Sequence, residues 1–191
     1  MRKIILFVLA LMIFISCKKN YQPDAFEYNT TAKENNSGGS EASDHIKIAV
    51  LSDIYYMHPL LIHDNAAAGE PFKTVASMHR PTAEYSAHIF DEVLSELLQE
   101  HPDIVLISGN LALDGEKISH QAVADNLKRL SAAGIKVYVA PGRYDVNNPR
   151  SAEYYFDHSA RVPNVSPNEF KSIYADFGYD KTNSVIAKDP N

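Results

Sequence analysis

Residues 104–110 read Ile-Val-Leu-Ile-Ser-Gly-Asn, and this segment is the clearest indication of the fold in the sequence. Its first five residues form a short, nearly continuous apolar run, which is typical of a strand buried on both faces of a parallel sheet. Similar runs occupy residues 46–52 (IKIAVLS) and 135–140 (IKVYVA). The sequence therefore predicts three buried strands within a domain that begins near His45.

Helices are predicted between these strands. Apolar residues recur every four positions over residues 82–100, which predicts an amphipathic helix. A second helix is predicted over residues 119–133, with Gly134 where a left-handed residue ends a helix. Strands that alternate with helices favour an α/β fold with βαβαβ order and mostly parallel strands. Ligands of such sheets bind beyond the carboxyl ends of the strands.

Composition narrows the possible functions. The chain has 191 residues and a formal net charge of −6 at pH 7, and it has no block rich in lysine or arginine. We therefore do not expect this protein to bind a nucleic-acid backbone. The single cysteine can form neither an internal disulfide nor a zinc site built from several thiolates.

The N-terminus has the pattern of an export signal. Arg2 and Lys3 precede twelve apolar residues, 4–15, a run that is shorter than the roughly 20 residues needed to span a bilayer. Residues 14–17, Phe-Ile-Ser-Cys, resemble a bacterial lipobox, with Phe14 where leucine is usual. We therefore expect a signal peptide over residues 1–16 and a lipid on Cys17, which would hold the protein on the membrane of the cell envelope. An ordinary signal peptide or a buried helix with a chance cysteine are the alternatives.

Residues 17–44 are rich in Asn, Ser, Gly, Glu and Thr and have no helical or strand period. This composition is typical of a flexible tether. The folded domain is therefore expected to occupy residues 45–191.

Three motifs follow the predicted strands, and together they resemble a known family. They are Leu51-Ser52-Asp53-Ile54-Tyr55, Ser108-Gly109-Asn110-Leu111 and the segment 141–149, PGRYDVNNP. Their order is similar to that of the calcineurin-like metallophosphoesterases, which read Asp-x-His, Gly-Asp and Gly-Asn-His-Asp at the same places. Neighbouring text such as LSDIYYMHPLL and IYADFGYD is similar to a bacterial lipoprotein branch of that family. The resemblance covers about residues 46–191 and implies the N-terminal half of an α/β sandwich.

The resemblance also implies a metal site, and this chain departs from it. In the family, two divalent metals (Mn, Fe or Zn) clamp a phosphate ester and activate water. Asp53 and Asn110 occupy metal-ligand positions, and the degenerate site also includes Tyr55, Arg143 and Tyr144. Only Asp53 keeps the family residue.

The replacements disfavour metal binding on chemical grounds. Asn110 is neutral where a bridging carboxylate is needed, and Tyr55 ligates only as phenolate. Arg143 has no lone pair to donate and repels a dication, so we hypothesise that it pairs with Asp53 in place of the metal. We expect no catalytic residue, and a divalent metal only if activity survives.

The family pattern continues with further strands and a Gly-His-x-His turn, whereas here only His158 follows the third strand. A capping box, Ser166-Pro167-Asn168-Glu169, predicts a helix to about Phe177, and residues 184–187 are predicted to start another strand. A partial sandwich would leave strand edges exposed, which makes self-association plausible.

Three hypotheses of function follow from these observations. The first is a catalytically impaired lipoprotein in which Arg143, Tyr144 and Tyr55 bind a phosphate-containing or other anionic ligand, or a partner. The second is a metal-dependent phosphoesterase at the cell envelope. The third is a truncated product without a function of its own.

Two further side chains have structural expectations. Asp145 is expected to accept hydrogen bonds from backbone amides of its own turn. Tyr138 lies within the third strand and is expected in the core.

Overall fold

The computed structural model describes residues 45–79 and 81–179. The predicted signal peptide, Cys17, the tether and the strand expected at residues 184–187 lie outside the described residues.

Three parallel strands form the central sheet. They are β1 (Ile48–Ser52), β2 (Ile104–Ser108) and β3 (Lys136–Ala140), in the order β1–β2–β3. Ser52 is in register with Ser108, and Ser108 with Ala140, so the three carboxyl ends meet at one edge. The predicted α/β class, with parallel strands interleaved with helices, is confirmed.

Within the described residues, four α-helices accompany the sheet: α1 (Glu70–His79), α2 (Ser86–Glu100), α3 (Lys117–Ala132) and α4 (Pro167–Ile173). The helix predicted over residues 82–100 is a 3₁₀ turn, Ala83–Tyr85, followed by α2. Gly134 follows α3 with a φ of 86°, as predicted for a residue that ends a helix.

The capping box of α4 is also present. Ser166 accepts from the Glu169 backbone, and the Glu169 carboxylate accepts from the Ser166 backbone. The helix ends earlier than predicted, at Ile173, and a 3₁₀ turn, Ala175–Phe177, follows it.

The main core lies between one face of the sheet and helices α2 and α3. Val105, Ile107, Val137 and Val139 point into it from the strands and are buried. The helices contribute a matching stripe of buried residues, namely Phe90, Leu94, Leu97, Val123, Leu127 and Leu130. The fold thus depends on one well-packed sheet–helix layer.

The opposite face of the sheet is open among the described residues, and this corrects the prediction that the strands are buried on both faces. Val50 is 66% exposed, Ile48 52%, Tyr138 41% and Leu106 39%. Tyr138 was expected in the core, but it lies on this face. A continuous apolar run is the same for a strand that is covered on both faces and for a strand that is covered on one face only.

A second hydrophobic cluster lies beneath elements that the sequence did not predict. These are α1 and a hairpin of β4 (Ala152–Tyr154) and β5 (Ser159–Arg161), which pair antiparallel. Buried members of the cluster include Met57, Leu61, Phe72, Leu113 and Tyr154. Strands of three residues are too short to show an alternating pattern, so no periodicity in the sequence indicates the hairpin. None of the described helices is long and apolar enough to cross a bilayer.

The same valine-to-alanine substitution should destabilise the fold more on the covered face of the sheet than on the open face. Val105→Ala should lower the free energy of unfolding by about 2 kcal/mol, because Val105 is fully buried against the helices. Val50→Ala, on the open face, is the matched control and should cost less than about 1 kcal/mol. Urea unfolding of both variants measures the difference. Equal costs would show that the open face is covered in solution.

Candidate functional site

The loops that leave β1 and β2 adopt left-handed backbone conformations. Asp53 has a φ of 54° and Tyr55 of 48° after β1, while Gly109 has a φ of 69° and Asn110 of 47° after β2. A non-glycine residue in this region costs about 1–2 kcal/mol. Such strain concentrates at functional sites, where the surrounding structure maintains it.

Backbone hydrogen bonds tie these two loops together. The amide of Asp53 donates to the Gly109 carbonyl at 3.3 Å, and that of Tyr55 to the Asn110 carbonyl at 2.9 Å. The loop after β3 approaches just as closely, because a Cβ on Gly142 would lie 2.2 Å from the Asn110 nitrogen. Only glycine allows this contact at position 142.

The Asn110 side chain connects all three loops. Its Nδ2 donates to Asp53 Oδ1 at 2.7 Å and to Tyr55 Oη at 3.1 Å. Its Oδ1 accepts from the Tyr144 backbone amide at 3.3 Å. The structure therefore brings together Asp53, Tyr55, Asn110 and the backbone of Tyr144, as the strand-end motifs predicted. We call these four residues and Arg143 the strand-end rim.

Arg143 is exposed and does not pair with Asp53. No ion pair within 4.0 Å joins these two described residues, and the Arg143 Cζ instead lies 5.6 Å from the centroid of the Tyr144 ring. The hypothesis that the guanidinium replaces a metal charge beside Asp53 is therefore wrong. The side chain at position 143 extends along the outside of its loop, where it keeps its hydration and stacks near an aromatic ring.

Arg150 was missed by the sequence analysis. Its Cζ lies 4.9 Å from the Tyr144 ring centroid, and its Nη2 lies 3.2 Å from Asp114 Oδ1. Two guanidiniums thus lie beside one tyrosine ring. The sequence around Arg150 has no motif that indicates a site. Its contacts form only because the fold brings residues 114, 144 and 150 together.

The donor set of the rim does not fit a pair of metal ions. The Asn110 amide directs N–H at Asp53 Oδ1, where a metal-bridging residue would have to offer an oxygen lone pair. Tyr55 Oη accepts from the same amide. Among the described residues, no group of three or more His, Cys, Asp or Glu side chains is arranged to hold a metal ion.

The fully buried carboxylate of Asp145 shapes the loop that carries Arg143 and Tyr144. Its Oδ2 accepts from the Gly142 amide at 2.6 Å, which confirms the predicted bond within its own turn. Its Oδ1 accepts from the Ala112 amide at 3.0 Å, a bond that the sequence did not indicate. The carboxylate therefore joins the loop after β3 to the segment that follows β2.

His120 supports the same loop from α3. Its Nε2 lies 2.9 Å from the Asp145 carbonyl oxygen, and its Nδ1 lies 2.9 Å from Tyr174 Oη. Burial lowers the pKa of His120 and raises that of Tyr174 well above its ordinary value. A neutral imidazole that donates from Nε2 and accepts at Nδ1 satisfies both contacts. His120 thus has a structural role.

Glu116 is a second buried acid near the rim. Its Oε1 accepts from the Asp114 amide at 3.0 Å, and its Oε2 has no hydrogen-bond partner among the described residues. Burial, with a smaller contribution from the Asp114 charge, raises the pKa of Glu116 to about 7. The side chain is therefore close to half protonated at neutral pH.

This raised pKa predicts a pH-dependent stability. The folded pKa of about 7 exceeds the ordinary value of 4.5, so the folded state binds the proton more tightly. The resulting stability is fully present below about pH 4.5 and is lost as pH rises through 7. Glu116→Gln should remove this loss, which is on the order of 3 kcal/mol between about pH 5 and about pH 8.

Urea unfolding at the two pH values measures the change for each protein. Exposed Glu92→Gln is the control and should keep the wild-type pH dependence. A Glu116→Gln protein that loses as much stability as the wild type on raising the pH would contradict the assignment.

Neither a protein-family model nor a curated protein matches the sequence. The geometry of the strand-end rim is therefore the basis on which a function is assigned.

Proposed function

We propose that this chain is a calcineurin-like phosphoesterase domain that binds an anionic, phosphate-containing ligand at the strand-end rim without hydrolysing it. The observation that carries the proposal is the Asn110 amide, which donates to Asp53 and Tyr55 and accepts from the Tyr144 backbone. This amide occupies the position where the resemblance implies a metal-bridging carboxylate. The loops are thereby joined by hydrogen bonds from one amide side chain.

Positive charge at the rim favours an anion. Arg143 and Arg150 are both exposed, and both lie within 6 Å of the Tyr144 ring centroid. A cavity of about 340 Å³ lies along this loop and is lined by both guanidiniums, Tyr144 and Asn148. Guanidinium groups form paired, charge-assisted hydrogen bonds with phosphate or carboxylate oxygens. A phosphate group is thus the ligand chemistry that the loop suits best.

The Asn110 amide argues against metal-assisted hydrolysis. Activation of water by a metal pair requires a bridging oxygen ligand, and the Asn110 side chain directs an N–H at Asp53 Oδ1 instead. We therefore infer recognition rather than turnover. A metal-dependent phosphoesterase remains the alternative against which the proposal is tested.

The place of action is the second part of the proposal. The N-terminal pattern that ends at Cys17 supports export and a lipid anchor on the envelope membrane. A ligand-binding domain on a tether could then sample the space beside the membrane. The open sheet face, and the edges of β1 and β3, which pair only with β2 among the described strands, are consistent with self-association.

Phosphate binding tests the function. With the full-length chain, Arg143→Gln should weaken binding of inorganic phosphate about tenfold, since a charge-assisted hydrogen bond is lost. Arg129→Gln is the matched control, because Arg129 is an exposed arginine on α3 that pairs with Asp91. Isothermal titration calorimetry measures both. Equal binding by the two variants would contradict the assignment.

Metal addition separates the proposal from its alternative. Mn²⁺ or Zn²⁺ at 100 times a real dissociation constant would raise stability by about 2.7 kcal/mol, which a thermal melt detects readily. The proposal expects no such shift and no hydrolysis of p-nitrophenyl phosphate. A metal-dependent rise in melting temperature with turnover would establish the hydrolase instead.

Cys17→Ser tests the anchor. Loss of the thiol should move the protein from the membrane fraction to the soluble fraction of cells, because a lipobox cysteine carries the lipid. Cell fractionation followed by immunoblotting measures the distribution, and Ser16→Ala, which leaves the thiol in place, should stay with the membranes. Continued membrane retention of the Cys17→Ser protein would overturn the lipoprotein assignment.

A further inference from the structure

A cavity of about 620 Å³ lies between α1 and the β4–β5 hairpin. None of the five strand-end rim residues lines it, whereas Pro149 and Arg150 line both this cavity and the smaller one beside the rim. Its volume falls within the range of about 300–1,000 Å³ that is usual for small-molecule sites. The two walls are held close together, because a Cβ on Gly69 would lie 2.1 Å from the Phe156 carbonyl oxygen in the hairpin loop.

The hairpin wall is also braced by a stack of three rings. Tyr155 stacks on His63, with 4.0 Å between centroids, and on His158, with 4.5 Å. Glu153 Oε2 lies 2.9 Å from His63 Nε2, which fixes one end of the stack. The hairpin is therefore anchored to the segment before α1, and the cavity is preformed.

Arg161, at the end of β5, contributes a positive charge to the lining of the cavity. Its guanidinium donates to the Pro149 carbonyl, and Pro149 also lines the cavity. No carboxylate lies within 4.0 Å of the Arg161 guanidinium among the described residues. Most of its five N–H donors thus remain for a ligand. Arg150 lies beside Pro149 and is already paired with Asp114 at 3.2 Å.

Two carboxylates contribute negative charge to other parts of the lining. Asp157 is in the hairpin loop and Glu70 is in the first turn of α1. His158 Nδ1 lies 2.7 Å from Asp157 Oδ1, and Lys73 Nζ lies 3.8 Å from Glu70 Oε1. These carboxylates would repel a ligand that carries only negative charge. Arg161 would repel a ligand that carries only positive charge. The lining therefore suits a ligand that carries both charges.

The spacing of the charges suggests the length of that ligand. Asp157, in the hairpin loop, precedes Arg161 by four residues, or roughly 13 Å of extended chain. A peptide of three or four extended residues spans about the same distance. Between the charges the lining is apolar, with Val75, Ala152, Tyr154 and Ala160, and the hydroxyls of Thr74 and Ser159 offer hydrogen bonds to a peptide backbone.

We propose that this cavity binds a short peptide with free termini, whose carboxylate pairs with Arg161 and whose ammonium group pairs with Asp157 and Glu70. The peptide lies along β5, with its side chains against the apolar floor. The charged groups proposed to hold the peptide, on Arg161, Asp157 and Glu70, are not part of the strand-end rim, although Arg150 lines this cavity as well as the one proposed for phosphate.

Calorimetry with trialanine and the full-length chain tests the proposal. Trialanine should bind with a dissociation constant below about 1 mM, and both its N-acetyl and its C-terminal amide derivative should bind at least about tenfold more weakly. Failure of trialanine to bind, or equal binding of the three peptides, would overturn the proposal.

Variants locate the site. Arg161→Gln and Asp157→Asn alter two exposed side chains and should each weaken trialanine binding about tenfold, with an unchanged melting temperature. If Arg161→Gln destabilises the fold, Asp157→Asn still provides the test. Arg129→Gln and Arg143→Gln are the controls and should bind trialanine normally. Loss of binding in Arg143→Gln would place the peptide at the rim and contradict the assignment, whereas loss of phosphate binding alone concerns only the rim.

Discussion

The fully buried carboxylate of Asp145 holds the functional end of the sheet together. Its two oxygens accept from the backbone of Gly142 and of Ala112, and its carbonyl contacts His120. These bonds fix the loop after β3 to the segment after β2 and to α3 at the same time. A buried N–H without a partner costs about 1–3 kcal/mol, so this one side chain stabilises the loop conformation on which the position of Arg143 and Tyr144 depends.

The strained residues of the rim lie in the two neighbouring loops. The loop after β3 meets Asn110 so closely at Gly142 that a Cβ has no room there. In the loops after β1 and β2, Asp53, Tyr55 and Asn110 adopt left-handed backbone conformations, at a cost in conformational energy. The Asn110 side chain then offsets part of that cost with its three hydrogen bonds. The rim is therefore rigid before any ligand arrives, which reduces the entropy lost on binding.

The sequence predicted what is periodic or local, and missed what depends on contacts between distant segments. β2 was predicted at its observed bounds, and the capping box of α4 was read from four residues. The convergence of Asp53 and Asn110 followed from the parallel order of the strands. By contrast, the position of Arg143 on the outside of its loop and the contact of Arg150 with Tyr144 depend on side-chain packing across the fold. The β4–β5 hairpin was missed because its strands are three residues long.

One face of the sheet is open and apolar among the described residues. Ile48, Val50, Leu106 and Tyr138 lie on neighbouring strands of one face, whereas parallel sheets are almost always covered on both faces. The two edges differ from this face, because Lys47 precedes β1 and Lys136 begins β3, and charged side chains at an edge oppose pairing with a further strand. Among the described residues of the face, those at its centre are apolar or aromatic. Burying this face would therefore stabilise a contact with another surface more than pairing at the charged edges would.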